Sequence, residues 1–292
     1  NTHNHYGWLE DMQIKNLNIV MGDIRDQNFL EKVTKDVDLV INLAALITIP
    51  YSYISPKSYF DTNLMGTLNL LELCTKKKIR LIHTSTSEVY GSAVKIPISE
   101  NHRIYSQSPY AASKSAADQR LCISFFNSFK TKVTILRPFN TFGPRQSPRA
   151  IIPNIIIQAL KSNKIKLGNI YTTRDFNYID DIVRAYHCAL KSNVYGETIN
   201  LGTGREYSIK YIVNLVSTIL KKKLKIIKDS QRVRPKGSEV ERLCASNLKA
   251  KKLINWKPEY RDDSSFKKAL FRTITWFKKN QIYKNHDKKY HY

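Results

Sequence analysis

Tyr110 and Lys114 stand four residues apart, the spacing that puts two side chains on one face of a helix. An ammonium one turn from a phenol favours the phenolate and lowers the phenol's pKa toward working pH. The pair then makes a base able to take a proton from a substrate hydroxyl while hydride leaves the same carbon. The same spacing also describes an ordinary surface pair. Upstream, an apolar run ends in Thr84, Ser85, Thr86, Ser87 and Glu88. Polar residues at the carboxyl end of a parallel strand are where open α/β sheets hold their ligands. Thr86 there can hydrogen-bond the hydroxyl that Tyr110 deprotonates, and Glu88 can serve as a second base. The alternative is a plain polar exit from strand to loop.

These residues need a sheet to carry them, and the chain alternates short apolar runs with longer helical patterns, the signature of βαβ units. LNIVMGDIRD reads as a strand and turn, DQNFLEKVTK as a helix and VDLVINLAA as a buried strand. SPKSYFDTNLMGTLNLLELCTKK is a long amphipathic helix with Ser55 as its N-cap before Pro56. IRLIHTSTSEVYG is a strand running into a loop, SPYAASKSAADQRLCISFFNSF a second long helix, and KVTILRPFNTFGP a further strand and loop. After about residue 145 the texture becomes mixed. PNIIIQALKS, IDDIVRAYHCALKS and YSIKYIVNLVSTILKK are helical, LGNIYTTRDF is hairpin-like, and GETINLGTG is a strand and turn. With no repeat and no low-complexity linker, the two regions should pack as one body. The fold class is α/β, a doubly wound parallel sheet with a smaller C-terminal mixed α/β region. Such a sheet opens with a glycine-rich turn at a helix N-terminus that takes a pyrophosphate. No G-x-G-x-x-G or G-x-x-G-x-x-G occurs in the chain. Either no dinucleotide is bound, or the sheet lacks its first β-α-β unit here.

Composition narrows the classes. The 292 residues, 42% hydrophobic, suffice for a sizeable core. No apolar run is long enough to span a membrane and the first residues do not resemble a signal peptide, so a cytoplasmic protein is expected. Cys74, Cys122, Cys188 and Cys244 are scattered without a C-x-x-C pair, which points to free thiols and no metal site. The net charge is +24. Its lysines fall in short runs at helix ends and turns, such as 76–78 and 221–223, without interleaved aromatic residues. Solvated lysines plus a site for a polyanionic small molecule account for this, and no specific nucleic acid is expected. The final residues, 281–292, form a basic tail.

NLAA (42–45), STSEVYG (85–91), SPYAASK (108–114) and RPFNTFGPRQ (137–146) resemble the extended short-chain dehydrogenase/reductase family, over nearly the whole chain. Within it, ALITIPYSYISPKSYFDTN, PFNTFGPRQSPRAIIP, TTRDFNYIDD and RPKGSEVERL are similar to the nucleotide-linked N-acetylglucosamine 4,6-dehydratases of legionaminic (nonulosonic) acid synthesis. The resemblance implies a Rossmann-like sheet, NAD as cofactor, and a glycine loop upstream of Asn1. It also implies weak or no NAD binding by these 292 residues alone. Residues 1–145 would form the NAD-binding domain, and 146–280 the sugar-nucleotide region with some elements returning to the main sheet. It places Asp23 and Ile24 against the adenine. Leu43, Ala44 and Ala45 then line the cofactor groove, and Asn63 supports the central helix beside the site. Tyr110 and Lys114 become the redox pair, Lys114 also holding the nicotinamide ribose. Asn140, Arg174, Asn200 and Arg234 become sugar-nucleotide contacts. Arg174 could instead pair with Asp175, Asn200 could cap a turn, and Arg232 competes with Arg234. The helices around 56–76 and 108–129 imply a homodimer joined by a four-helix bundle.

The resemblance implies an order of steps. Tyr110 takes the proton from the hydroxyl on sugar carbon 4, Glu88 removes the carbon-5 proton, and the carbon-6 hydroxyl leaves as water, giving a 4-keto-6-deoxy sugar. In deoxythymidine-diphosphoglucose dehydratases an Asp stands between the Thr and the Glu; here Ser87 does, a poor general acid. GDP-mannose dehydratases share the Thr-Ser-Glu order, so the change leaves dehydration open and the acid unassigned. The nearest rivals are a UDP-glucuronate decarboxylase and a 4-epimerase. A rival of another class is an inactive fragment that only binds.

Overall fold

The computed structural model describes residues 6–282 except 11, 13 and 234. Its strands in chain order are β1 (Leu39–Asn42), β2 (Arg80–Thr84), β3 (Val133–Pro138), β4 (Asn140–Phe142), β5 (Lys164–Leu167), β6 (Thr173–Arg174), β7 (Phe176–Tyr178), β8 (Thr198–Leu201), β9 (Tyr207–Ser208), β10 (Lys225–Lys228) and β11 (Arg242–Leu243). The main sheet runs β1-β2-β3-β8, every pair parallel.

Alternation along these strands builds two cores. Leu81, Val133 and Ile135 face one side, where they meet Leu71, Cys74 and Cys122 of two long helical crossovers. Ile82, Leu136, Ile199 and Leu201 face the other, against Ile182, Ala185 and Ala189 of helix Ile179–Leu190 and against Ile254 and Trp256. A parallel sheet covered by helices on both faces is the Rossmann-like arrangement.

The first crossover runs through Pro56–Tyr59, a π-helical segment at Phe60–Met65, and Gly66–Lys77. The second runs through Pro109–Ser115, a π-helical segment at Ala116–Cys122, and Ile123–Phe129. Such widened turns break the regular ladder and recur beside functional sites. Ser55 sits at the N-cap position, but its Oγ bonds Ser58 Oγ rather than a backbone N–H. A further core lies in the C-terminal half. There helices Ile151–Lys161, Ile209–Leu220 and Asp263–Lys279 bury Ile155, Val213, Phe266 and Phe277 around Phe142.

Two expectations fail. Residues 17–22 form no strand. β1 pairs only with β2, and no strand of the described residues lies beside 17–22 to take up its backbone groups. LGNIYTTRDF is not a hairpin either. β5 pairs in parallel with β10, while β6 pairs with β11 and β9. The two halves of the segment thus serve different sheets. Among the described residues, no helix is long and apolar enough to cross a membrane. The calls on residues 1–5, on 283–292 and on Arg234 lie outside the described residues.

Candidate active site

β2 ends at Thr84, and the chain then winds through a short 3-10 turn, Ser87–Tyr90. Thr86 caps it, its Oγ1 accepting from Glu88 N at 3.3 Å. Gly91 closes the turn at φ +64°, where an added Cβ would lie 2.2 Å from Tyr105 O. Gly91→Ala is therefore expected to cost about 1–3 kcal/mol of stability, read in denaturant melts. An unchanged midpoint would mean that the turn tolerates the side chain.

Across from this turn, Ser108 caps helix Pro109–Ser115 by accepting from Ala111 N at 3.1 Å, with Pro109 in the first turn. The cap sets Tyr110 in that first turn and Lys114 one turn on, both buried. Tyr110 shares a hydrogen bond with Thr86 and feels the charge of Glu88. Lys114 Nζ donates to Thr84 O. Thr86, Ser87, Glu88, Tyr110 and Lys114 are all buried where the carboxyl end of β2 meets this helix.

The electrostatics depart from expectation. The phenol is not made acidic: burial pushes Tyr110 up to about 12, the bond with Thr86 pulls it back, and Glu88 raises it further. The amine donates to Thr84 O, and burial draws Lys114 down to about 8, with Asp118 opposing that fall.

The loop after β1 is tied to the same helix through Asn63. Leu43 and Ala44 are exposed and Ala45 half-buried. Asn42 Oδ1 accepts from Ala44 N at 3.1 Å. Asn63 is buried in the first π-helical segment, where its Oδ1 accepts from Leu46 N and its Nδ2 donates to Leu46 O and Ser113 Oγ. One side chain thus ties this loop to both long crossovers. Farther out, Asp23, Arg25, Asp26, Asp61, Met65 and Asn69 line an open depression. Hydrogen bonding to Arg25, 2.6 Å away, lowers the Asp23 carboxyl to about 2. Ile24 packs on Gly66, where a Cβ would meet its Cγ2 at 2.6 Å.

The expected sugar-nucleotide residues scatter more widely. Asn140 stands in β4 with a buried Oδ1 that has no hydrogen-bond partner among the described residues. Arg174 donates to Thr173 O at 2.9 Å and lies 3.8 Å from Glu239. Asp175, its neighbour, instead accepts from Thr203, Gly204 and Ala245. Asn200 is fully buried; its Oδ1 accepts from Tyr90 and its Nδ2 donates to Ile98 O. Arg232 pairs with Asp229 at 3.1 Å and bonds Asn154. Among the described residues, no group of three or more His, Cys, Asp or Glu is arranged to hold a metal ion.

Sequence reasoning missed a buried pair, Asp118 and Arg137, joined at 2.8 Å with both side chains fully enclosed. The signal was present. Asp118 lies one further turn beyond Lys114, and Arg137 is a charge inside the apolar run VTILRP, which demands a partner.

With this geometry in view, the GDP-mannose 4,6 dehydratase family matches residues 1–269. The chain belongs to that family. It is a Rossmann-like family of sugar-nucleotide dehydratases, epimerases and decarboxylases within the short-chain dehydrogenases/reductases. A putative UDP-glucose 4-epimerase of Methanocaldococcus jannaschii is 34% identical over 269 residues, 89% of this chain and 84% of the relative. A UDP-N-acetyl-alpha-D-glucosaminuronate decarboxylase of Bacillus cytotoxicus is 30% identical over 90% of this chain and 84% of its own length. The solved dTDP-glucose 4,6-dehydratase of Bacillus anthracis, in complex with NAD, superposes with a TM-score of 0.78. It is 29% identical over 90% of this chain and 80% of that one.

Proposed function

We propose that the protein is an NAD-dependent sugar-nucleotide 4,6-dehydratase acting on a nucleotide-linked N-acetylglucosamine. The observation that carries this reading is that Tyr110, bonded to Thr86, is buried at the end of β2 together with Glu88, whose charge acts on it. An oxidation at carbon 4 needs only the phenol and the threonine. A carboxylate held beside them adds the second base that elimination requires.

The chain's residues fit the cofactor in two places. The exposed Leu43 and Ala44 present small and apolar surface on the loop after β1, and Asp23 offers a carboxylate in the depression lined by Arg25 and Asn69. Leu43, Ala44 and Ala45 would hold the groove side, Asp23 and Ile24 the adenine end, and Lys114 the nicotinamide ribose. NAD, when bound, supplies the acceptor that takes hydride from carbon 4 and gives it back to the sugar.

Tyr110 takes the proton from the carbon-4 hydroxyl, with Thr86 holding that hydroxyl in line. The ketone so formed makes the carbon-5 proton acidic. Glu88 accepts that proton and, once protonated, passes it to the departing carbon-6 hydroxyl; as carbon 6 receives the hydride, carbon 5 takes a replacement proton from solvent through Glu88. Ser87 then has no acid role. Asn140, with its unspent carboxamide oxygen, and Arg174 serve the sugar nucleotide, together with Arg234. Residues 1–145 carry the cofactor side and 146–280 the substrate side. Two copies join through the long crossovers, which light scattering would reveal as a dimer.

A second reading has one observation in its favour. Ser87 offers no acid for a leaving hydroxyl, and 4-epimerisation or decarboxylation needs none. Product analysis separates these. The full gene product, given NAD and UDP-N-acetylglucosamine, is expected to release a 4-keto-6-deoxy sugar nucleotide. A carbon-4 epimer, or a pentose from UDP-glucuronate with no keto product, would replace the dehydratase reading.

The role given to Lys114 sets a pH limit. Its ammonium, lowered from 10.5 to about 8, loses its proton as pH rises through that value. The rate kcat/KM is therefore expected to fall above about pH 8. Lys114→Arg, which stays charged, should remove that limb while lowering the maximum. A flat profile up to pH 10 would show that the ammonium is not needed.

A further inference from the structure

We infer that the buried Asp118–Arg137 pair is a positioning device that holds the Thr86–Glu88 turn against Tyr110 and Lys114. This rests on the roles proposed above for those residues. The pair grips both ends of the turn from beneath. Ser85, immediately before Thr86, donates its hydroxyl to Asp118 Oδ2. Arg137 Nε donates to that same oxygen at 2.8 Å, and Arg137 Nη1 donates to the hydroxyl of Tyr90, the last residue of the turn, at 2.8 Å. Tyr90 donates its hydroxyl to Asn200 Oδ1 at 2.7 Å, and Asn200 N donates to Glu100. The chain of bonds therefore runs from the helix carrying the base, under the turn carrying Thr86 and Glu88, to the far strand β8.

Every member of this chain except Glu100 is buried, so its geometry is fixed by packing as well as by hydrogen bonds. A neutral pair of similar shape would fill the space without linking the helix to the turn. The charge of Asp118 adds a second effect. Lys114 donates to Thr84 O, is faced by Asp118 and Cys122 of its own crossover and by His83 of β2, and Arg137 of β3 lies against Asp118. His83 is buried and held neutral by burial and by the two cations, leaving Asp118 as the anion that steadies the Lys114 ammonium.

Two variants of the full gene product test this. Asp118→Asn is expected to lower kcat by about 10²-fold with KM little changed, the scale of a small misplacement of reacting groups. It should also move the Lys114 titration, followed by lysine side-chain NMR without any substrate, to lower pH. Tyr90→Phe removes one hydroxyl from the far end of the turn. It should lower kcat in the same manner while leaving the Lys114 titration where it is. The NMR readout does not depend on which sugar nucleotide is turned over, so it stands apart from the dehydratase reading. A folded Asp118→Asn protein with unchanged kcat and unchanged Lys114 titration would overturn the inference. If that variant does not fold, an undiminished kcat in Tyr90→Phe would overturn it alone.

Discussion

Tyr110→Phe is expected to lower kcat by about 10²–10⁴-fold, the span of a lost general base, while KM changes little. The phenol is buried and its ring meets Tyr59 edge-on at 6.3 Å, so removing the hydroxyl leaves the packing intact. What is lost is one oxygen that shares a hydrogen bond with Thr86. The split between kcat and KM is the diagnostic, since a group used only in the transition state affects kcat and kcat/KM alike. Steady-state rates with the nucleotide-linked sugar, together with an unchanged melting curve, would check it. A variant that keeps more than about a tenth of the rate would remove Tyr110 from the chemistry. The raised pKa of this phenol, about 12, does not oppose the role. It makes the phenolate scarce in the chain alone, and a positive charge brought beside the phenol would counteract desolvation.

Glu88→Gln is expected to separate two half-reactions. The amide keeps the volume and position of the side chain but cannot accept the carbon-5 proton. Turnover to a 4-keto-6-deoxy product should fall by about 10²–10⁴-fold. Oxidation at carbon 4, which uses Tyr110, should survive, seen as a transient absorbance of reduced nicotinamide. Wild-type protein in heavy water should place deuterium at carbon 5, and the variant should not. If Glu88→Gln dehydrates at the wild-type rate, a different group is the second base and the observation carrying the function loses its meaning.

Much of this arrangement is legible in the sequence. Tyr110, Lys114, Thr86 and Glu88 were found from spacing because each depends on a local rule: one helical face, or one strand end. The two faces of the sheet were legible for the same reason, since Leu81 and Ile82 alternate between cores as their order in sequence requires. The failures involve distant partners. Residues 17–22 carry a strand's composition, but a strand exists only where another one accepts its hydrogen bonds. The chain bends at Gly168, yet β5 finds β10 some sixty residues later, which no local pattern announces. Asn200, a ligand contact by resemblance, also spends its amide on Tyr90 and Ile98, partners that no local pattern announces. The pKa of Tyr110 was misjudged because spacing fixes which charge is near but not how much water is removed.

The central claim is that one site oxidises carbon 4 and then eliminates across carbons 5 and 6 of the same sugar. The most direct measurement follows a label placed at carbon 4. The full gene product is incubated with NAD and nucleotide-linked N-acetylglucosamine carrying deuterium at that carbon, and the product is read by NMR. The account predicts a 4-keto-6-deoxy sugar with the deuterium now at carbon 6. Deuterium still on carbon 4 of an epimerised sugar, with no keto product, would contradict it.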